Sequence, residues 1–388
     1  MQDFTIAVPD EVLDDLRRRL LTARMSPDFA NPDWRYGVEG EYLQELVAYW
    51  LDEYDWRVHE ARMNEYSHCR TMIDEVPLHF IRERGIGPAP VPLILSHGWP
   101  WTFWDYEHVI RPLADPAAFG GDPADAFDVV VPSLPGFGFS SPLDRPGVNW
   151  SRTADLWVEL MDRLGYERFA AFGGDLGNLI SAQLGHKYPA KVIGVHLSGA
   201  LPLSLFESGI WTAEDYAADE VDEYRRSQER MSTIGRSHLA VQTEDPQTLA
   251  YALHDSPVGL LAWLVERRRA WSDCDGEVER RFTKDELLTT VTLYWVTGTI
   301  GTSMRHYWEA AKDPWRPVRP ELPVVQAPTA ILHPARELAH APAAWAGSYY
   351  NLKRYRRMPA GGHFFPSEEP ELVVEEVRAF FRGLRAKT

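Results

Sequence analysis

The stretch Phe172-Gly-Gly-Asp-Leu-Gly177 constrains this chain more than any other. It follows the short apolar run Phe169-Ala-Ala-Phe172 and opens the helical stretch Leu176 to Tyr188. Gly173 and Gly177 lie two residues either side of Asp175, and a turn this tight from strand into helix needs small residues there. Such an elbow usually carries Ser at its centre. A carboxylate in that slot suits displacement at an sp³ carbon, which leaves an alkyl-enzyme ester. The same residues also read as a helix N-cap after a glycine turn, so other segments have to separate the two readings.

The surrounding pattern is one of short buried strands and helices. Val91 to Ser96, Phe127 to Val131 and Val192 to Leu197 are brief apolar runs bounded by Gly, Pro or Asp. Helical periodicity fills Thr153 to Leu164 and Leu176 to Tyr188. This alternation predicts an α/β fold, a mostly parallel sheet with helices on both faces. Before it, residues 1–76 read as a helical extension wrapping the body, with Val12, Leu13, Leu16 and Leu20 at helical spacing. The core then runs over 77–203. Within 204–313 the alternation stops, and helices at Asp215 to Met231, Leu260 to Trp271 and Lys284 to Trp295 predict a cap. The core resumes over 314–388 with the strand Thr329 to His333 and the helix Leu372 to Leu384. A cap inserted there would cover the carboxyl edge of the sheet, where open α/β sheets bind ligands.

Composition removes several classes of function. With 40 Lys+Arg against 57 Asp+Glu the net charge is −17, a poor match for nucleic acid or an anionic membrane surface. No run of about 18 apolar residues is present, and the acidic first residues do not read as a signal peptide. A cytoplasmic location is expected, and two cysteines, Cys69 and Cys274, suit a reducing compartment. His59-Glu60 begins a zinc-protease string, but Met63 stands where its second histidine belongs. No dinucleotide-binding glycine loop is present either, so neither metal nor cofactor is expected. The 15 Trp, 16 Tyr and 16 Phe imply large apolar surfaces, around a pocket or between domains. An acidic surface with many aromatics is also compatible with a homodimer.

Three further segments fit a reacting carboxylate. Ser96-His-Gly-Trp-Pro100 follows the first strong strand, where a backbone N–H would join that of Leu176 in an oxyanion hole; Trp99 supplies it in this reading. Gly361-Gly-His363 precedes the last helix and places a histidine late in the chain. From Leu322 to Gly362 the only acidic residue is Glu337, just past the strand end at His333. The chain order nucleophile, acid, histidine then becomes Asp175, Glu337, His363.

Taken in this order and spacing, these segments resemble the microsomal (xenobiotic) type of epoxide hydrolase in the α/β-hydrolase superfamily. Pro135-Gly-Phe-Gly-Phe-Ser140, Asp255-Ser-Pro-Val-Gly-Leu260 and Tyr294-Trp-Val-Thr-Gly-Thr299 are similar to its motifs as well. The resemblance covers nearly the whole chain, without the membrane anchor of animal members, and implies a soluble bacterial enzyme acting on a small epoxide and water. It implies that Tyr307, in Arg305-His306-Tyr307, hydrogen-bonds the epoxide oxygen. The family's second such tyrosine is replaced here by His238, with Tyr224 and Tyr251 as other candidates for the gap. Trp101, Trp104 and Pro100 are expected to line an apolar pocket for an aryl or bulky epoxide, or else to pack the extension onto the body. Some relatives act in antibiotic biosynthesis, enediyne pathways among them, and the change at His238 fits a dedicated role of that kind. Two rival readings remain. A haloalkane dehalogenase would share the Asp and His but carry a Trp beside the nucleophile, where Leu176 stands. A non-catalytic binding protein of the same fold would keep the pocket alone.

Overall fold

The computed structural model describes residues 1–385. Among them are β1 (Gln2–Phe4), β2 (His68–Ile73), β3 (Val76–Glu83), β4 (Val91–Ser96), β5 (Phe127–Pro132), β6 (Phe169–Gly174), β7 (Val192–Ser198), β8 (Val325–His333) and β9 (Tyr350–Arg357). They form one sheet in the order β1-β2-β3-β5-β4-β6-β7-β8-β9. The pairs from β5 through β9 are parallel, and β1, β2 and β3 are joined antiparallel at one edge. β4, β6 and β7 are almost wholly buried, as parallel strands covered on both faces must be.

The stretch 1–76, expected to be helical, holds three helices but also contributes β1 and β2 to the sheet. β2 (His-Cys-Arg-Thr-Met-Ile) mixes polar with apolar residues and gives no clean alternation. It is held by its pairing with β3, Ile73 against Val76 across a tight turn. β9 lacks a clean alternation as well. Tyr-Asn-Leu-Lys-Arg-Tyr-Arg-Arg is an edge strand, and its exposed arginines and lysine suit an edge that must not pair further.

The helix Leu176–Lys187 lies at the centre of the fold and is buried over nearly its whole length. Gly185 lets it sit on the sheet, since a Cβ there would come within 2.8 Å of Val325 and 2.9 Å of Val195. Between β7 and β8 the described chain is helical, with no strand. Two of these helices matter for the site. Ser237–Glu244 buries His238 and Gln242, one turn apart. Ile300–Lys312 buries Ile300, Ser303, Met304 and Tyr307, the stripe of a helix facing inward.

Candidate active site

Asp175 sits at the junction of β6 and the central helix with φ +54° and ψ −123°, a backbone shape that non-glycine residues rarely take. The neighbours leave no alternative. A Cβ on Gly177 would lie 1.9 Å from the Ser96 carbonyl oxygen, and one on Gly173 would lie 2.0 Å from that of Gly177. The turn can therefore press against the 96–99 loop only with glycine at both places. That contact puts the Trp99 amide 2.8 Å from Oδ1 of Asp175, and the Leu176 amide also donates to this carboxylate. His97 shapes the same loop, with Nδ1 2.9 Å from the Gly98 carbonyl and Nε2 accepting from the Leu134 amide at 3.0 Å. Burial lowers the His97 pKa to about 4, so the ring stays neutral and can accept that bond.

Two loops bring the other members together. Glu337 lies four residues past the end of β8, and the Arg336 amide donates to the Gly361 carbonyl at 2.9 Å. This link sets the acid loop against the histidine loop. Nδ1 of His363 is 2.8 Å from Oε1 of Glu337, and Nε2 is 3.3 Å from Oδ2 of Asp175. All three side chains are buried or nearly so. Burial alone would pull the imidazolium pKa down, but the charge of Glu337 and the bond to Asp175 outweigh it and raise His363 to about 10. Burial likewise opposes the charge on Asp175. His363 and the two amides overcome it and hold the carboxyl below its usual range.

A cavity of about 110 Å³ opens beside this group. Asp175, His363, Tyr307 and His238 are among its polar wall, with Asn178, Ser198 and Glu337, and Leu201, Phe206, Ile210, Met231, Leu239 and Leu338 are among its apolar wall. The Tyr307 hydroxyl is buried, with no hydrogen-bond partner among the described residues. Burial and the nearby Asp175 charge push its pKa well above that of free tyrosine. His238 stacks on the Trp99 ring at 5.3 Å and meets Tyr307 edge-on at 5.8 Å. Its burial lowers its pKa to about 3, so it is a neutral ring beside the tyrosine.

Other expected positions fall elsewhere. Tyr251 is 73% exposed and Tyr224 packs on Tyr216; neither lines the cavity. Trp101, Trp104 and Pro100 do not line it either. Trp101 is fully buried behind the histidine, its ring edge-on to His363 at 5.7 Å. Trp104 packs on Tyr66 of the N-terminal extension, the packing alternative for this aromatic cluster. The apolar wall comes mostly from helices and loops after β7 and from the loop after β8 that carries Glu337, segments whose sequence has no feature that separates wall from core.

The same architecture is found in known proteins. The model of the epoxide hydrolase N terminus matches residues 1–106, and that of the alpha/beta hydrolase fold matches 91–269. A Stigmatella aurantiaca protein, provisionally named an epoxide hydrolase, is 40% identical over 385 residues, 99% of this chain and 85% of that protein. Epoxide hydrolase 1 of Sus scrofa is 33% identical over 98% of this chain and 88% of its own. The crystal structure of juvenile hormone epoxide hydrolase from Bombyx mori superposes with a TM-score of 0.86 at 29% identity, over 99% of this chain and 95% of that one. The fold is that of an α/β-hydrolase. Within it the chain belongs to the microsomal type of epoxide hydrolase, and it is an enzyme of that class.

Proposed function

We propose that Asp175 opens an apolar epoxide by forming a covalent ester, which His363 and Glu337 then hydrolyse to a vicinal diol. The observation that carries this reading is the division of labour at the Asp175 carboxylate. Oδ1 is held by the Trp99 amide while Oδ2 faces His363, and the residue lines the cavity. Oδ2 is then the attacking atom and Oδ1 becomes the ester carbonyl oxygen. Tyr307, with its hydroxyl otherwise unpartnered, donates to the epoxide oxygen as the C–O bond breaks. His238 lies edge-on to Tyr307 and fills the place of a second donor.

Alkylation also prepares the next step. Before it, two carboxylates keep His363 protonated. Ester formation removes the Asp175 charge and its hydrogen bond, so the His363 pKa falls; the imidazolium then gives up its proton, which restores the Tyr307 hydroxyl spent on the alkoxide, and the neutral ring can take a proton from water. The hydroxide adds to Cγ of Asp175, and the amides of Trp99 and Leu176 stabilise the oxyanion on Oδ1. Each such donor is worth about 3–4 kcal/mol in reactions of this kind. Collapse releases the diol with Oδ2 and leaves the water oxygen in the carboxylate.

The substrate body is apolar because, apart from the reacting groups, the cavity wall is mostly apolar. An aryl epoxide fits that wall. About 110 Å³ is small beside the roughly 300–1,000 Å³ of typical ligand sites, so a bulky ring system requires the 204–313 helices, which we read as the cap, to shift outward. Two buried, unbridged cysteines suit a cytoplasmic location. The test is one turnover of styrene oxide in ¹⁸O-water with enzyme in excess. Diol without label and ¹⁸O in the Asp175 peptide support the ester. Label in the first diol molecule means direct attack by water and ends this mechanism. Halide release from a chloroalkane with no diol from epoxides would favour a dehalogenase.

A further inference from the structure

The backbone that carries His363 is held in an unusual way. Four successive amides, Gly361 through Phe364, each donate to a partner outside the loop. Gly361 donates to Oδ2 of Asp273 at 3.0 Å, and His363 donates to the Trp271 carbonyl at 2.8 Å. Gly362 and Phe364, either side of the histidine, donate to Oε2 and Oε1 of Glu368, both at 2.9 Å. Trp271 and Asp273 belong to the 204–313 insertion, at and just after the end of the helix Pro257–Trp271. Oε2 of Glu368 takes a further bond from the Asp273 amide at 2.7 Å.

A single carboxylate therefore joins both flanks of the histidine to the insertion. Glu368 is 7% exposed, and a carboxylate costs free energy to bury unless its oxygens are satisfied. Burial pushes its carboxyl up to about 7, against the pull of three amides and Arg281. The packing is as close as the hydrogen bonding. A Cβ on Gly362 would stand 2.6 Å from the Trp271 carbonyl oxygen, and Arg268, on the same helix as Trp271, lies 4.0 Å over the Phe364 ring.

We propose that Glu368 is a positioning residue for ester hydrolysis: its carboxylate fixes the backbone on both sides of His363 and ties it to Asp273. The insertion thereby sets where the base stands relative to Glu337 and the attacking water. The proposal rests on the ester mechanism above. It predicts an effect confined to the second chemical step, because alkylation needs Asp175 and Tyr307 but no proton transfer by His363.

The variant is Glu368→Gln, which keeps the shape but presents an NH₂ group to one of the backbone amides. Ester formation and decay are followed separately by rapid quench with styrene oxide and mass spectrometry of the Asp175 peptide. The expected result is formation at the wild-type rate and decay slowed by about 10- to 100-fold, as for an ångström-scale misplacement. The ester then accumulates at steady state. Wild-type decay, or an equal loss in both steps, overturns the proposal. If Glu368→Gln does not fold, Asp273→Ala removes the Gly361 clamp at a side chain that is 17% exposed. It should slow decay selectively by a smaller factor, and unchanged decay in that folded variant also overturns the idea. Wild-type protein that forms no ester at all would instead refute the mechanism and not the positioning role alone.

Discussion

Replacing Tyr307 by Phe separates a reacting hydroxyl from a core aromatic. The ring is 2% exposed and packs edge-on against Trp99 at 6.3 Å and Phe206 at 6.3 Å. Phenylalanine keeps all of that packing. Among the described residues the hydroxyl has no hydrogen-bond partner, and leaving a buried polar group unsatisfied costs roughly 1–3 kcal/mol. Removing it should therefore cost no stability and can add up to about 1 kcal/mol. Activity should move the other way. A donor aimed at a developing alkoxide is worth about 3–4 kcal/mol, which at 1.36 kcal/mol per decade is about 10²- to 10³-fold in alkylation rate. Thermal unfolding gives the first number and rapid-quench formation of the Asp175 adduct gives the second. A variant that loses more than about 1 kcal/mol of stability, or that alkylates at the wild-type rate, would show that Tyr307 serves packing and that another group meets the epoxide oxygen.

Other consequences follow from the same geometry. Gly177→Ala drives a Cβ to 1.9 Å from the Ser96 oxygen; it should cost about 3 kcal/mol or more and lower the unfolding midpoint, and a midpoint like wild type would contradict the tight elbow. Arg268 and Asp105 form an ion pair with side chains only 4% and 3% exposed, so Asp105→Asn should destabilise the fold by about 3–5 kcal/mol in denaturant titration, an outcome refuted by an unchanged midpoint. The His363 pKa is raised on folding to about 10. Its stabilisation is therefore fully present below the unfolded pKa of about 6.5 and fades as pH rises toward 10. The unfolding midpoints of wild type and His363→Gln should converge over that alkaline range, and a difference that grows there would reverse the assigned sign.

Much of this site was legible in the chain because its constraints are local. The elbow needs glycine on both sides of Asp175, and glycine in a Gly-x-Asp-x-Gly string after an apolar run is visible without coordinates. Glu337 was legible by elimination, having no acidic competitor in its segment. The parallel strands were legible because burial on both faces makes them nearly continuous apolar runs. β2, near one edge of the sheet, and the edge strand β9 lack that signature, and their pairing is decided by neighbouring strands and not by their own pattern. Trp104 is a large aromatic beside a recognisable loop, yet which side of the loop it faces depends on Tyr66, 38 residues earlier. Glu368 was missed for a different reason. Its partners are backbone amides, which every residue has, so a buried acceptor of three of them looks in sequence like any glutamate at a helix end. His238 lay between these cases. Its position was readable from the spacing of neighbouring motifs, whereas its stacking on Trp99 was not.

The central claim is the covalent ester on Asp175, and one variant tests it most directly. His363→Gln should leave Asp175, its two amides and Tyr307 in place while removing the base. Mixed with styrene oxide and analysed by intact-protein and peptide mass spectrometry, it should gain the mass of one epoxide, located on Asp175, and release little diol. A folded variant that stays unmodified while making diol at the wild-type rate, or that carries the added mass on another residue, would contradict the account.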